Sequence, residues 1–573
     1  MTPFPLAFLS SGEYIFKLIH LVDSEYCNRE FLSMKRTLTL FQLLLLLLLG
    51  CAVQQPERRR RFEPTIRVGL VWGKDSVEFS MGNAFQITSH DGTFIAKGIK
   101  GKRWLAEVKT SEPGETVYIL VAASMSTEAK AKIQAKEIQR KEFDTFIQPA
   151  GQVLRIGNRV VNDNRSYRVC LRKAFKSKEE AESYRDSIWN RLETFIAKQK
   201  LHKARGTILL TNLENNQQFE STKPILIRGS PVTIYRIPVG IGFHWENEED
   251  RTYPETISFQ LDNDGKLAVI NILTLEKYLQ GVIPSEMPEG FPLEALKAQA
   301  VAARGEALAK LGISHNSDPF DLCADVHCQA YSGLSKRSPS TDRAVRETKG
   351  FVLWKEGKIC NAVYSAVCGG HGEDVANTWG GQPKSFLQGS FDGPGRLKRY
   401  GSLKNEKNLK RWIDDNPLAY CNTTRGRIPA ALEYTKKYFR WEVRYTQEEL
   451  SKIILNKTGQ NMGEILELTP LERGVSGRII HLKVVGKKGA FIINRELEIR
   501  KALSPNTLWS SCFYVVKKGW RKGTPEEFLI RGAGWGHGVG MCQAGAAVMA
   551  LKRKRFDEIL KHYYKGVQIR RLY

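Results

Sequence analysis

The chain has 573 residues, enough for two or three domains, and its 87 Lys and Arg against 61 Asp and Glu leave a net charge of +26. A balance this basic calls for an acidic partner. Ten cysteines over this length exclude a small disulfide-stapled scaffold.

The first informative element is at the N-terminus. Met34, Lys35 and Arg36 open a positive region, and Leu38 to Leu49 is a nearly unbroken apolar run. That run is short for a membrane span and suits the apolar region of an export signal. It ends in Leu48-Leu-Gly-Cys51, which resembles a bacterial lipobox. Cys51 is then the expected lipidation site, an ordinary signal or short anchor being the alternative, and Arg58 to Arg61 forms a charged tether. Translation from Met1 or from Met34 is compatible with this pattern. A single lipid modification tethers a protein to a membrane surface without spanning it. Export also bears on the basic charge: an exported protein rarely meets nucleic acid, so no nucleic-acid partner is expected. The carboxylates of peptidoglycan or an anionic membrane surface explain the charge better, a solvated basic surface without a specific partner being the alternative.

Beyond the tether, Ile66–Trp72, Val77–Phe79 and Phe85–Thr88 alternate apolar and polar residues between Gly and Asp breaks, the pattern of short β-strands. A different unit follows. Thr116–Ala122 reads as a strand, Thr127–Lys141 as a charged helix, and Phe143–Ile156 as extended chain. Tyr167–Arg172 is another strand and Ser177–Ile196 a second helix. From Gly206 the β pattern resumes and ends at Lys266–Leu273 after the turn Asp262-Asn-Asp-Gly265.

Next comes Tyr278-Leu-Gln-Gly-Val-Ile-Pro-Ser-Glu-Met-Pro288. Prolines bracket Glu286 in an expected turn among Val282, Ile283 and Met287, where poor solvation would raise its pKa toward that of a general acid at neutral pH. The plainer alternative is that Ser285 and Glu286 cap a helix. The helix itself runs from Pro292 to Leu311, with Gly312 just beyond, and presents Leu293, Leu296, Ala300, Ala303, Ala307 and Leu311 on one face. His315, Cys323, His327 and Cys328 follow, two imidazoles and two thiols of the type that completes a tetrahedral zinc site. The adjacency of 327 and 328 leaves Cys368 or His371 as substitutes, and a Cys323–Cys328 disulfide or free thiols as alternatives. Cys360 and Cys368 would pair if they lay on facing strands.

The remainder is rich in strands, and the class is α+β with sheet dominating. Gly532-Ala-Gly-Trp-Gly-His-Gly538 sits between a strand at Glu527–Arg531 and a helix at Val539–Lys552. It imitates a dinucleotide fingerprint, but His537 stands where the third glycine belongs and no βαβ unit surrounds it. Bare backbone there instead lets a sugar ring approach, with Trp535 as a stacking face and His537 as a hydrogen-bonding group.

Several blocks together resemble the SpoIID/LytB (stage II sporulation protein D) family. They are Leu275–Pro288, Leu293–Arg304, Tyr364-Ser-Ala-Val-Cys-Gly-Gly370, Asn377-Thr-Trp-Gly-Gly381 and Gly534-Trp-Gly-His-Gly-Val-Gly-Met-Cys-Gln543, in family order over about half the chain. The resemblance implies a peptidoglycan lytic transglycosylase or, in the LytB branch, a non-catalytic enhancer of a cell-wall amidase. Carried onto this sequence, Glu286 is the expected acid/base and Arg304 the group that orients it or holds a substrate acid. Ser285, Trp535, His537 and Gln543 are expected to contact glycan, and His315, Cys323, His327 and Cys328 to hold a structural zinc ion. Glu289 is the nearest spare carboxylate. The chain departs from the family at Arg304-Gly305-Glu306, where glycine inside a helix costs roughly 1 kcal/mol. The unit at 109–203, through Val117–Ala122 and Tyr167–Ala181, resembles a SPOR domain, which implies binding of denuded glycan strands. The expected organisation is a leader and lipoprotein-type signal at 1–51, a basic linker at 52–65, an N-terminal β segment at 66–108, the SPOR-like insert at 109–203 and the SpoIID-like domain at 204–573, all in the cell envelope.

Overall fold

The computed structural model describes residues 63–98, 102–156, 158–229, 231–243, 246–395 and 398–573. The expected signal, Cys51 and the arginine tether lie outside the described residues. Among those described, no helix is long and apolar enough to cross a membrane.

In the strand Thr65–Lys74 the alternation buries Ile66, Val68 and Leu70, Val71 is buried beside them, and the last three residues are exposed. This strand pairs antiparallel with Leu267–Thr274, Ile66 opposite Leu273 and Val68 opposite Asn271. The sheet they found has seven strands. Outward from Leu267–Thr274 lie Thr256–Leu261, Ile225–Arg228, Phe85–Ser89 and Phe94–Gly98, and on the other side Thr65–Lys74 is flanked by the short edge strand Leu322–Cys323. A second sheet of six strands, centred on Arg103–Glu112 and Ser76–Met81, shares its core. Phe79 meets Phe259 across that core with ring centroids 4.6 Å apart.

The insert leaves and re-enters through neighbours. Arg103–Glu112 and Arg205–Asn212 pair antiparallel, with Glu112 opposite Arg205, so everything between them hangs from one hairpin. It forms a four-stranded antiparallel sheet in the order Phe195–Lys200, Thr116–Met125, Ser166–Phe175, Thr145–Ala150. The helices Glu128–Gln139 and Lys178–Ile188 are capped by Thr127 and Ser177 and bury Ala131, Ile138, Ala181 and Ile188 in the insert's own core. Strand–helix–strand twice over in this order is the split βαβ arrangement of ferredoxin-like modules. The second helix ends at Ile188, eight residues earlier than the expected Ile196, because Phe195–Lys200 is needed as the fourth strand against Thr116–Met125. Segment 143–156, expected as one extended stretch, is two strands, the second in a hairpin with Arg159–Asp163.

Behind the large sheet, helix Leu293–Lys310 is the hub. Helices Leu275–Glu286, Pro339–Glu347, Gln543–Leu551 and Phe556–Tyr563 and strand Phe351–Lys355 pack around it. The expected single apolar face is therefore wrong: Ala298, Gln299, Val301, Arg304 and Glu306 are buried as well. Gly305 fits because a Cβ there would lie 3.0 Å from the Cys360 carbonyl oxygen, so the helix can approach that chain closely only without a side chain. Trp441–Thr446, Thr524–Gly532 and Phe513–Arg521 make a further antiparallel sheet, and with Ile465–Arg473, Ile479–Gly486 and Gly489–Asn494 they enclose a second core. The short strands Tyr364–Ser365 and Met541–Cys542 pair in parallel.

Candidate functional site

Strand Leu267–Thr274 runs directly into helix Leu275–Glu286. The prolines do not make the expected turn. Pro284 lies inside the helix, and Glu286 is its last residue, with Met287 as C-cap. Mid-helix, Gly281 carries no side chain because the chain at Tyr331–Gly333 crosses it: a Cβ would fall 2.5 Å from the Tyr331 ring and 2.6 Å from the Gly333 carbonyl oxygen. That crossing presents the Ala330 N–H to Glu286 Oε1 at 2.8 Å.

Glu286 is partly buried. Burial raises its pKa to about 7, the Ala330 N–H opposes the rise and the nearby charge of Glu306 adds to it. The Gln543 side chain donates a further hydrogen bond to the carboxyl. Gln543 arrives there because Met541–Cys542 pairs with Tyr364–Ser365, and its amide also reaches Gln299 Oε1 at 3.4 Å. The Tyr364 hydroxyl donates to Gln329 Oε1 at 2.8 Å, and Gln329 Nε2 donates to the Ala303 carbonyl. These amides and hydroxyls form a polar floor, and aromatic rings stand beside it. Trp535 packs on Tyr438 with centroids 4.3 Å apart and meets the edge of Tyr434, whose hydroxyl senses the Glu286 charge. Trp379, 49% exposed, lies 4.7 Å from the His537 ring.

His537 is a neutral imidazole. Burial, with the charge of Arg478 adding to it, lowers its pKa to about 3. Its Nδ1 accepts the Val539 N–H at 3.0 Å, which leaves the proton on Nε2, directed to the Tyr364 carbonyl. The helix expected from Val539 begins only at Gln543, since Met541–Cys542 is strand.

Two expected roles do not fit this geometry. Arg304 is fully buried and its fork grips Glu276, Nε to Oε1 at 2.8 Å and Nη2 to Oε2 at 2.6 Å, while Nη1 donates to the Phe351 carbonyl. The Tyr573 hydroxyl and the Gly350 N–H complete the Glu276 carboxylate. Burial alone would raise the pKa of Glu276, but Arg304 holds it below the ordinary range. Arg304 is thus a core ion pair and orients nothing at Glu286. Ser285 turns back into its own helix, donating to the Gly281 carbonyl at 2.8 Å and lying 2.7 Å from the Ser332 hydroxyl. Glu289 is exposed. The carboxylate coupled to Glu286 is Glu306, which is buried and paired with Lys310 at 2.8 Å. Sequence reasoning missed Glu306, Gln329 and Tyr434. The spacing of Glu306 and Lys310, four apart on a helix, was the only signal available.

His315, Cys323, His327 and Cys328 do come together, with their ligand atoms all within 4.8 Å of one another. Cys323 is pinned by the sheet edge, Gly69 opposite it. His327 Nδ1 lies 3.7 Å from both Cys323 Sγ and Cys328 Sγ, so the neighbouring positions 327 and 328 do reach one cluster. His315 Nδ1 faces Asp318 Oδ2 at 2.8 Å, while its buried Nε2 has no hydrogen-bond partner. A histidine fixed by a carboxylate on one nitrogen and unpartnered on the other suits a metal ligand. Lys310 donates to the carbonyls of both His327 and Cys328, and Ala330 follows two residues later. The loop that gathers these side chains is therefore the loop that supports Glu286. Cys368 and His371 are not substitutes: His371 Nδ1 faces the Gly372 carbonyl, and Cys368 lies against Cys421 rather than Cys360.

The match to known proteins falls on the same segments. The stage II sporulation protein family profile covers residues 263–354, and that of a domain of unknown function, DUF8618, covers 373–540. An uncharacterised protein of Brachyspira hyodysenteriae is 31% identical over 303 residues, 53% of this chain and 68% of that protein. The amidase enhancer of Bacillus subtilis is 27% identical over 302 residues, 51% of this chain but 40% of its own length. Stage II sporulation protein D of Bacillus amyloliquefaciens is 28% identical over 312 residues, 52% of this chain and 74% of that protein. The chain belongs to the SpoIID/LytB family, and with it to a cell-wall-related role.

Proposed function

We propose that the protein cleaves peptidoglycan glycan strands as a lytic transglycosylase, with Glu286 as its single acid/base. The observation that carries this reading is a carboxyl held by the Ala330 N–H and the Gln543 side chain, with a pKa near 7, beside exposed aromatic rings. Glycosidases that hydrolyse use two carboxylates. Here Glu306 is occupied by Lys310, which favours a route in which the substrate supplies the nucleophile. Protonated Glu286 gives its proton to the glycosidic oxygen as the C1–O4 bond of N-acetylmuramic acid breaks. The C6 hydroxyl of the same sugar attacks C1, and its proton returns to Glu286 as the 1,6-anhydro ring closes. Trp535, Trp379 and Tyr434 offer stacking faces for the sugars, Gln543 holds the carboxyl, and the polar Tyr364–Gln329 pair lies beneath.

His315, Cys323, His327 and Cys328 would hold zinc in this proposal. The ion would supply cross-linking rather than chemistry, bracing the loop that carries Ala330. The SPOR-like insert would add affinity for glycan. Its sheet face opposite the helices is already covered, since Ile119, Val121 and Cys170 are buried and Arg168 reaches the Ile313 carbonyl, so sugar contact falls to its helix side and strand ends. Export and lipidation at Cys51 would place the site at the envelope with peptidoglycan as the acidic partner.

A second reading, enhancement of a separate cell-wall amidase, is favoured by the likeness to the amidase enhancer. Digestion of peptide-free glycan strands followed by mass spectrometry separates the two. Ends in 1,6-anhydro-N-acetylmuramic acid that disappear with Glu286→Gln support the transglycosylase. Binding without cleavage, and faster release only when an amidase is added, refutes it in favour of the enhancer.

A further inference from the structure

Away from Glu286, three thiols and a carboxylate meet in the interior. Cys368 follows the strand Tyr364–Ser365, Asp392 and Cys421 come from the segment beyond it, and Cys542 ends the strand Met541–Cys542. Their ligand atoms all lie within 4.8 Å of one another. Cys368 Sγ is 3.5 Å from Cys421 Sγ and 3.2 Å from Asp392 Oδ2, and the Cys368 N–H donates to Cys542 Sγ at 3.2 Å. None of the four is more than 3% exposed.

These spacings suit a metal better than a disulfide. Sulfurs bound tetrahedrally to zinc at about 2.3 Å lie about 3.8 Å apart, whereas a disulfide requires about 2 Å. Three thiols cannot all be consumed by disulfide pairing, and one bridge would strand the third thiol beside a buried carboxylate. The two oxygens of Asp392 are also divided. Oδ1 accepts from the Tyr563 hydroxyl at 2.9 Å and lies 3.5 Å from His562 Nε2, while Oδ2 faces the thiols. Outer hydrogen bonds of this kind orient a metal-binding carboxylate. We propose that Cys368, Cys421, Cys542 and Asp392 form a second zinc site, separate from the His315 cluster. It ties the chain on either side of residues 373–540 to that segment and fixes Cys542, whose neighbour Gln543 bonds Glu286.

The test is zinc content and position in the full chain purified from zinc-supplemented medium. Elemental analysis is expected to give two zinc ions per chain, and one in Cys421→Ser. The Cys323→Ser/Cys328→Ser variant is expected to retain the ion at Cys368, Cys421 and Cys542. Crystals of the unsubstituted chain should show an anomalous zinc peak among those three sulfurs, which covers the case of a variant that does not fold. Absence of that peak, or a Cys368–Cys421 or Cys368–Cys542 disulfide in the alkylated, unreduced protein, overturns the proposal. Glycan cleavage is not a readout here, so failure of the transglycosylase reading leaves this result standing.

Discussion

Glu286→Gln separates the cost of the carboxylate from its use. Gln is nearly isosteric and its amide oxygen can still accept the Ala330 N–H, so packing is preserved and only the charge is lost. Lifting a carboxyl from 4.5 to about 7 corresponds, at ~1.4 kcal/mol per pH unit, to about 3 kcal/mol. Partial contact with water reduces this to about 2–3 kcal/mol. The sign follows from proton linkage. The folded protein binds the Glu286 proton more tightly than the unfolded chain, so the stability from this group is complete below about pH 4.5 and is lost as pH rises through about 7. The Gln variant has no such loss. Urea unfolding is expected to give matching stabilities near pH 4.5 and a more stable Gln variant at pH 8, by about 2–3 kcal/mol. Over the same range, glycan cleavage by the unsubstituted protein should fall with a midpoint near pH 7, and the variant should lose at least about 100-fold, the usual worth of a general acid. Stability curves that stay parallel from pH 4.5 to 8, or a cleavage midpoint at the ordinary carboxyl value, would refute the reasoning.

Gly281→Ala pushes a methyl group into the Tyr331 ring, which should cost about 1–3 kcal/mol in denaturant midpoint and reduce cleavage by shifting Ala330 from Glu286. Arg304→Met leaves the Glu276 carboxylate buried and unpaired, at about 3–5 kcal/mol by the same measurement, while cleavage per folded molecule stays at the unsubstituted rate because Arg304 does not reach the site. Chelation should lower the melting temperature and the Glu286-dependent cleavage together, with zinc restoring both. His537 is neutral across the working range, so His537→Ala should weaken glycan binding in titration calorimetry without moving the midpoint of the pH profile.

The sequence alone determined those features whose information is local. Alternation located Ile66–Trp72 as a strand, the start of the insert's second helix falls at the expected Ser177, and the family blocks singled out Glu286. The cluster of His315, Cys323, His327 and Cys328 was legible because its members fall within fourteen residues, a span that one loop can gather. Tertiary structure decided every question of partnership. Arg304 reads as a site residue from its place in a family block on the helix after Glu286, yet Glu276 claims it. The helix that carries it looks amphipathic by spacing, but neighbours from five other segments bury most of its circumference. Gln543 reaches Glu286, and Cys368 reaches Cys421 and Cys542, only through the parallel pairing of Tyr364–Ser365 with Met541–Cys542. Periodicity reports whether a residue faces inward. Which residue it meets there is set by strand registers and helix crossings that join segments more than a hundred positions apart, and no local pattern records them.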